Sequence, residues 1–466
     1  MIFLLPIEIK DREMFSKVFL SYKLLKKGHK VIIGSQRDIP QNISKISNCF
    51  WLDKNTFVSK LNKYNDMKYI NKNYIGMLDE EGPIAFFNST SRNIRYPKHI
   101  KKFYDYFFVW GKKDQKKIGF LKKNTSILGH PKYDLLKKPY VHLWDAEVKS
   151  IKKKYKDFVL FNSSFKCRPS KENYRKSIIT LRDNLPSQKK LKKSIKTMNA
   201  VFDTEEKNYN EAIVLFKKLA DIYKNINFIF RPHPNENTNT VKKKFGKIPK
   251  NLKIIYKGSV TPWIISSKLI MHSGCTTALE AAVLRKKIIC FIPFGNSERY
   301  YLYSKIGKFF RNKNLCISNF RKFFEAKKSN LGLNYAYSLI LNSKKNNFFY
   351  KNFLNFLYQN NLDKINSTYS TTEVEKNILK TKIYLFKQKI KSHLSKLKDI
   401  IIKTPLIYLL DQKYIYTKES RDKKIKVLNK SEISKIIYKL KKIDRNKLNF
   451  KIKKISKNVF IINNVS

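Results

Sequence analysis

The sequence predicts an α/β protein with two facing, doubly wound, Rossmann-like domains and a helical C-terminal tail. Short apolar runs alternate with segments whose apolar residues recur every three or four positions, as strands and helices do around parallel sheets. This alternation occurs twice, once before about residue 140 and once after about residue 150. With 466 residues, the chain is too long for one hydrophobic core, so two or three domains are expected.

The first domain is expected to span residues 1–140 and to open with a β-α-β unit. Residues 2–5 form an apolar run, and residues 13–27 carry apolar side chains at helical spacing. Gly28 is expected to end this helix, because glycine readily adopts the left-handed conformation found after helices. The later strand candidates of this domain are residues 30–33, 84–87, 106–110 and 126–128.

The second domain, expected over residues 150–345, repeats the same order of strands and helices. Residues 166–206 are polar, Lys-rich and contain two prolines, which predicts a helical insertion or mobile flap. Residues 346–466 are predicted to form a Lys-rich, largely helical extension, because apolar residues keep helical spacing there. The strand candidates of the second domain are residues 158–161, 227–230, 252–256, 269–272 and 287–292.

The net charge of +64, from 99 Lys and Arg against 35 Asp and Glu, suggests a polyanionic partner. The lysines are spread along the whole chain, which indicates a drift in composition rather than one basic face. Nucleic acid is therefore disfavoured as a partner. Lysine clusters at residues 152–154 and 189–193 predict contact with an anionic membrane surface.

Several features predict a cytoplasmic protein that touches the inner membrane only at its surface. The five cysteines form no close pair, which favours a reducing compartment. The apolar residues 1–6 have no charged segment before them, so they predict a buried strand rather than a signal peptide. No run reaches the roughly 18 apolar residues that a membrane helix needs.

Arg231-Pro-His-Pro234 follows directly on a predicted strand. Ligands in α/β folds bind at the carboxyl ends of strands. Arg231 can place two N–H groups on phosphate oxygens, and His233 can donate to a phosphate or to a departing oxygen. A rigid loop with a solvated histidine is the alternative interpretation.

His272-Ser-Gly-Cys-Thr-Thr277 joins a predicted strand to a predicted helix, where free N–H groups and hydroxyls suit a phosphate. Glu280 follows one turn later and can accept from ribose hydroxyls. The alternative is a helix capped by Thr276 or Thr277 without any ligand. The predicted donor-binding residues are thus Arg231, His233, His272, Ser273, Gly274, Thr276, Thr277 and Glu280.

Asp79-Glu-Glu-Gly-Pro83 is an acidic loop in a chain that is poor in acid. Adjacent carboxylates repel, which raises the pKa of at least one of them toward the value that suits a general base. Glu80 or Glu81 is therefore predicted to take a proton from a hydroxyl. A solvated turn is the alternative.

Glu80-Glu81-Gly82, His233-Pro234 and Thr276-Thr277 resemble the acidic-acidic-Gly, His-Pro and paired Ser/Thr motifs of bacterial sialyltransferases and related GT-B enzymes, which use CMP-activated acidic sugars. In that resemblance Glu80 is the general base, and the other two motifs hold the donor phosphate. The resemblance implies a GT-B-like fold and no catalytic metal.

A broader resemblance, over roughly residues 1–300, is to the bacterial surface carbohydrate biosynthesis family. Its members usually have Gly-Asn-Pro-Arg where this chain has Gly129-His-Pro-Lys132. The residues that carry the resemblance are Pro6-Ile-Glu8, Arg12-Glu13, Asp79–Gly82, Trp110-Gly111, Gly129–Asp134 and Phe161–Phe165.

The two resemblances imply a metal-independent glycosyltransferase without a further cofactor. Its donor would be a CMP-, CDP- or UDP-linked sugar, and its acceptor a surface polysaccharide such as capsule or lipopolysaccharide, or a lipid-linked glycan. Glu80, Glu81 and His233 would be the catalytic residues. Two alternatives stay open: transfer of glycerol phosphate from CDP-glycerol, and a non-catalytic binder of nucleic acid or anionic surfaces.

Overall fold

The computed structural model describes eleven segments of the chain and four isolated residues. The strand expected at residues 84–87 lies outside them, as does most of the expected insertion before residue 187. The described residues are 1–54, 68, 72–82, 104–117, 125–164, 174, 178, 181–182, 187–234, 236–295, 304–327, 331–344, 346–370, 386 and 427–465.

The described residues contain sixteen strands in three sheets. The strands are β1 Ile2–Ile7, β2 Lys30–Ser35, β3 Ile46–Ser47, β4 Phe50–Asp53, β5 Tyr74–Leu78, β6 Tyr106–Val109, β7 Thr125–Ile127, β8 Phe158–Asn162, β9 Asn227–Arg231, β10 Leu252–Ile254, β11 Leu269–His272, β12 Lys287–Phe291, β13 Lys308–Phe310, β14 Thr368–Tyr369, β15 Phe450–Ser456 and β16 Val459–Asn464.

Twelve α-helices lie in the same part of the chain. They are α1 Lys10–Leu25, α2 Lys112–Lys117, α3 Pro131–Asp134, α4 Asp145–Tyr155, α5 Gln188–Ile222, α6 Thr238–Phe245, α7 Thr261–Ser266, α8 Thr277–Val283, α9 Lys313–Glu325, α10 Leu333–Leu339, α11 Phe349–Gln359 and α12 Lys430–Ile443. Short 3₁₀ segments occur at Ile39–Lys45, Tyr140–Trp144, Leu341–Ser343 and Leu362–Lys364.

The first sheet has the strand order β15-β16-β2-β1-β4-β5-β6-β7. Strands β1, β2 and β4 to β7 run parallel, whereas β16 pairs antiparallel with β2. The chain builds outward from β1 in one direction with β2 and in the other with β4. Such a reversal defines a doubly wound sheet and places a crevice at its carboxyl edge.

The second sheet has the order β10-β9-β8-β11-β12-β13, and its strands are all parallel. Numbered within the sheet, this is the order 3-2-1-4-5-6 of the dinucleotide-binding fold. The strand order reverses between β8 and β11, so the ligand crevice of this sheet is expected there. The two sheets confirm the predicted α/β fold class with Rossmann-like topology.

The C-terminal extension contributes the helices α11 and α12 and also a hairpin, β15 and β16, which was not predicted. Strand β16 is buried along Val459–Ile462, where it extends the first sheet beside β2. The hairpin turn contains no glycine; Asn458 takes the left-handed conformation instead, with a φ of 54°. Without a Gly signal, this segment was indistinguishable from the helical pattern around it.

Helix α11 covers one face of the first sheet. The Phe353 ring lies 6.0 Å from Phe3, 5.9 Å from Phe50 and 5.7 Å from Phe108, measured between ring centroids. These rings come from β1, β4 and β6, so one side chain contacts three strands.

No helix in the described segments is long and apolar enough to cross a lipid bilayer.

Helix α12 is fixed to α1 by an ion pair that is almost inaccessible to solvent. The Lys23 ammonium lies 2.5 Å from an Asp444 carboxylate oxygen, with side chains only 5% and 9% exposed. The same ammonium donates to the Tyr140 hydroxyl at 2.6 Å. Burial alone would raise the pKa of Asp444, but Lys23 and Lys26 lower it below its ordinary value.

Asp444→Asn is expected to lower the free energy of unfolding at neutral pH by roughly 3 kcal/mol, because the buried Lys23 charge loses its partner. The folded-state pKa of Asp444 is depressed, so its contribution is complete above about pH 4 and is lost as the pH falls further. Chemical denaturation across this range tests the change. Asp157→Asn, in an exposed pair with Lys268, is the control and is expected to change stability little. Equal losses in both variants would contradict the assignment.

Candidate functional site

The predicted donor-binding segments come together at the switch point of the second sheet. Asn162, Arg231 and His272 are register neighbours at the carboxyl ends of β8, β9 and β11. The Asn162 side-chain amide donates to the Thr277 hydroxyl at 3.2 Å, and the Ser164 hydroxyl donates to the Ser273 carbonyl at 3.1 Å. The segments after β9 and β11 were predicted from the sequence to bind a ligand, whereas the segment after β8 was not.

His272 shapes the turn after β11 rather than facing a ligand. Its ring is completely buried. Nδ1 accepts the Gly274 N–H at 3.2 Å, so Nε2 carries the proton toward the Ile306 carbonyl at 3.3 Å. Burial lowers the pKa of His272 to about 4, and the ring is therefore neutral at physiological pH. These contacts favour a structural role over the predicted phosphate contact.

The hydroxyls of the same turn are used differently from one another. Ser273 is buried and donates to the Phe291 carbonyl at 2.7 Å. Thr277 contacts the Cys275 sulfur at 3.0 Å. Thr276 occupies the N-cap position of α8 but makes no side-chain capping hydrogen bond. The capped-helix alternative therefore does not describe this turn, and the half-buried Thr276 is its best-placed hydroxyl for a ligand. Gly274, with a φ of 91°, gives the turn its left-handed bend.

Arg231 and His233 have different surroundings at the end of β9. The Arg231 guanidinium donates to the Lys257 carbonyl at 2.9 Å and to the Gly258 carbonyl, and it lies over the Tyr256 ring. Burial lowers the pKa of Arg231 to about 10, so the group keeps its charge. These two carbonyls use two of the five N–H donors of Arg231. His233, in the same turn, is half-buried.

Glu236, which the sequence analysis missed, holds the His233 turn. Its buried carboxylate accepts the His233 backbone N–H, and its own N–H donates to the His233 carbonyl at 2.8 Å. Burial raises the pKa of Glu236. The only signal in the sequence was an acidic residue five positions after the end of a strand, which is common in loops.

Glu280 is engaged by a residue from the other sheet. The Lys132 ammonium lies 3.2 Å from Oε1 of Glu280, and the Thr261 hydroxyl lies 3.5 Å from Oε2. The carboxylate is directed toward the crevice between the sheets, as a residue that accepts from a ligand hydroxyl would be. The pair also shows that loops of the two sheets meet at this point.

The acidic loop lies at the carboxyl edge of the first sheet, directly after β5. The Trp110 indole N–H donates to the Asp79 carbonyl at 2.8 Å, and the Asp79 carboxylate accepts the Glu81 backbone N–H at 2.8 Å. Gly82 has a φ of 72°, and a Cβ atom there would lie 2.7 Å from the Trp110 ring. The position therefore needs glycine, and Trp110 fixes the path of the loop.

Glu80 points inward from this loop into a buried ion pair. One carboxylate oxygen lies 2.8 Å from the Lys17 ammonium, and the other lies 3.0 Å from Nε2 of His130. Nδ1 of His130 accepts the Lys132 N–H at 3.3 Å, so Nε2 carries the proton and donates to Glu80. Burial opposes ionisation, but Lys17, His130 and Lys54 hold the pKa of Glu80 well below its usual range. The expected rise in pKa from mutual repulsion is wrong for this residue.

Glu81, the next residue, is exposed. The charges of Glu13, Glu81 and Glu80 raise the pKa of Arg12, although burial alone would lower it, so these groups lie near one another. The two acidic neighbours thus have different surroundings. Glu80 is buried and paired, whereas Glu81 is accessible to solvent.

A second group of charges connects the end of β4 to the start of α1. The Lys54 ammonium lies 2.6 Å from a Glu13 oxygen and 2.8 Å from a Glu8 oxygen. The Glu8 backbone N–H donates to Glu13 at 2.8 Å. Lys17 and Lys54, which sequence reasoning missed, supply the positive charges. Lys17 follows Glu13 by four residues and therefore lies on the same face of α1.

The first turn of α1 approaches the donor segments of the second sheet. Burial and the charge of Asp11 raise the pKa of Tyr256 to about 12, and the same carboxylate also acts on Arg231. Together with the Lys132–Glu280 pair, this gives two contacts between the facing carboxyl edges.

Among the described residues, no group of His, Cys, Asp and Glu side chains is arranged to hold a metal ion.

Glu80→Gln is expected to lower the free energy of unfolding by roughly 3–5 kcal/mol, because it leaves the Lys17 charge buried without compensation. Glu81→Gln is the matched control and is expected to stay within about 0.5 kcal/mol of wild type, because the residue is exposed. Denaturant titrations of both purified variants measure the difference. Indistinguishable stabilities would show that the buried ion pair does not form.

No protein-family model and no curated protein matches this chain. Many solved structures are similar to it, and three of them illustrate the likeness. They are UDP-GlcNAc 2-epimerase from Neisseria meningitidis bound to UDP-GlcNAc (13% identity, 77% of this chain and 100% of that chain, TM-score 0.47), the S. aureus MnaA–UDP structure (13%, 78% and 96%, 0.45) and the wall teichoic acid polymerase TagF (10%, 78% and 89%, 0.47). A likeness this distant carries no conclusion about what this chain binds. The two resemblances drawn from sequence motifs stay predictions.

Proposed function

We propose that this protein is a glycosyltransferase that moves a sugar from a nucleotide-activated donor to a surface glycan or glycolipid. The observation that carries the proposal is the meeting of three polar strand ends at the switch point of the second sheet, through Asn162, Arg231 and the turn from Ser273 to Thr277. Ligands of doubly wound sheets bind at this position.

The donor phosphate would lie between the Thr276 hydroxyl, the half-buried His233 ring and the Arg231 guanidinium. Arg231 is charged and held by backbone carbonyls, which preorganises its remaining N–H groups. His233 can donate a proton or a hydrogen bond to the departing phosphate oxygen. Preorganised donors around developing negative charge are commonly the largest contribution to such catalysis.

We assign the general base to Glu81 in preference to Glu80, although the resemblance to sialyltransferases implies Glu80. A carboxylate whose pKa is held well below its usual range is a weak base, and Glu80 is 5% exposed. Glu81 is exposed on the same loop, and in this proposal it takes the proton of an acceptor hydroxyl bound in the crevice. Glu80 would then anchor the loop that carries the base.

The acceptor would be bound at a membrane surface if it is lipid-linked. Exposed lysines on α4 and on the first turns of α5 support such contact, since each Lys near an anionic leaflet contributes about 1 kcal/mol. These lysines are Lys152, Lys153, Lys154, Lys189, Lys192 and Lys193.

Transfer of glycerol phosphate from CDP-glycerol is the second candidate, because enzymes of that class have a similar His-Pro segment and Ser/Thr turn. The two reactions differ in the bond that breaks. A glycosyltransferase releases a nucleotide that keeps all its phosphates, whereas glycerophosphate transfer from CDP-glycerol releases CMP. With a CMP-linked sugar both reactions release CMP, so the acceptor distinguishes them: by mass spectrometry it gains a sugar in the first reaction and a glycerol phosphate in the second.

A matching nucleotide among CMP, CDP, UDP and GDP is expected to raise the melting temperature, since a ligand at about 100 times its Kd stabilises by about 2.7 kcal/mol. Thr276→Val is expected to reduce this stabilisation, because it removes a hydroxyl and keeps the shape of the side chain. Thr204→Val is the control, since the Thr204 hydroxyl is exposed on α5 and donates to the Ala200 carbonyl at 2.8 Å. Absence of stabilisation by all four nucleotides would defeat the proposal.

Glu81→Gln is expected to reduce turnover by about two to four orders of magnitude while leaving nucleotide affinity nearly unchanged, as expected for loss of a positioned base. The measurement is turnover with the nucleotide sugar whose nucleotide stabilises the protein. Wild-type turnover in Glu81→Gln would exclude this residue as the base, and the assignment would return to Glu80.

A further inference from the structure

The Lys132 side chain lies between the two sheets. It follows β7 of the first sheet, yet its ammonium lies 3.2 Å from Glu280 of α8, in the second. The two side chains are 15% and 8% exposed. The pair thus lies inside the crevice rather than on the outer surface.

The ammonium also lies next to the turn that is proposed to hold the phosphate. Burial raises the pKa of the Cys275 thiol, and hydrogen bonds with Thr277 lower it. The charge of Glu280 raises the same pKa and that of Lys132 lowers it, both by smaller amounts. Both charges are therefore close to Cys275, which is in the middle of the turn. The Trp110 and Tyr133 rings support the ammonium at 5.1 and 5.2 Å from their centroids.

Among the described residues, the Lys132 ammonium has one ion-pair partner, Glu280. An ammonium has three N–H donors, so two of them can serve a ligand. The Glu280 carboxylate is also weakly bound, because the Thr261 hydroxyl lies 3.5 Å from its second oxygen, which is long for a hydrogen bond. An anion entering the turn would compete with this carboxylate for the same ammonium.

We propose that Lys132 is a donor-binding residue contributed by the first sheet, and that it exchanges Glu280 for a phosphate of the donor. The released Glu280 carboxylate then accepts from a hydroxyl of the donor ribose or sugar. The inference rests on the proposed function, because it requires a phosphate at the turn after β11. It adds that both sheets bind the same phosphate, so donor binding holds the crevice closed.

The exchange predicts opposite effects of two substitutions on a phosphate ligand that has no ribose. Pyrophosphate affinity, measured by isothermal titration calorimetry, is expected to fall about tenfold in Lys132→Met, the size of one charge-assisted hydrogen bond. In Glu280→Gln it is expected to rise, because the competing carboxylate is gone. Lys113→Met is the matched control, since this exposed lysine also lies over an aromatic ring, that of Tyr335 at 4.5 Å.

The nucleotide that stabilises the wild-type protein and its parent nucleoside complete the test. Lys132→Met is expected to weaken the nucleotide and leave the nucleoside unchanged, whereas Glu280→Gln weakens the nucleoside. Unaltered pyrophosphate and nucleotide affinity in Lys132→Met would overturn the inference while leaving the proposed function intact. A wild-type protein that binds no nucleotide would overturn both. If Lys132→Met does not fold, tighter pyrophosphate binding by Glu280→Gln supports the exchange, and unchanged or weaker binding overturns it.

Discussion

The buried carboxylate of Glu80 is the constraint on which the arrangement of the first sheet's carboxyl edge depends. It compensates the Lys17 ammonium and accepts from the His130 ring, so it joins α1, the loop after β5 and the loop after β7. The motifs of the first domain meet around this group although they lie far apart in sequence. A chain with a net charge of +64 uses one of its few acids where removing it leaves a cation buried.

Asn342 makes the same edge dependent on a later part of the chain. Its amide exchanges hydrogen bonds with the His130 backbone at 2.9 Å and donates to Asp134 at 2.6 Å. A Cβ atom on Gly129 would lie 2.1 Å from its oxygen, so glycine is required there. The loop that carries both His130 and Lys132 is thus set by contacts with residues about 210 positions away in sequence.

Local patterns were sufficient for nine of the sixteen strands, because a buried strand followed by polar residues is visible within ten positions, but they did not reveal β3, β4, β5, β13 or β14. They were insufficient wherever the partner is distant. Glu80 and Glu81 look alike in sequence, and only the structure distinguishes the buried carboxylate of the first from the exposed carboxylate of the second. Lys17 was not identified from the sequence, since its charge partner follows 63 residues later. The hairpin of β15 and β16 had no turn signal to reveal it.

The position of β16 beside β2 also sets an order for biosynthesis. The second sheet is complete once residues 158–310 have been made, whereas β2 keeps an open edge until residues 459–464 leave the ribosome. At typical rates of about 5–20 residues per second, this edge waits roughly 8–30 seconds after the second sheet is complete. An unpaired edge recruits other strands. During translation, the nascent chain therefore exposes its earliest sheet the longest, and chaperone binding would be most valuable there.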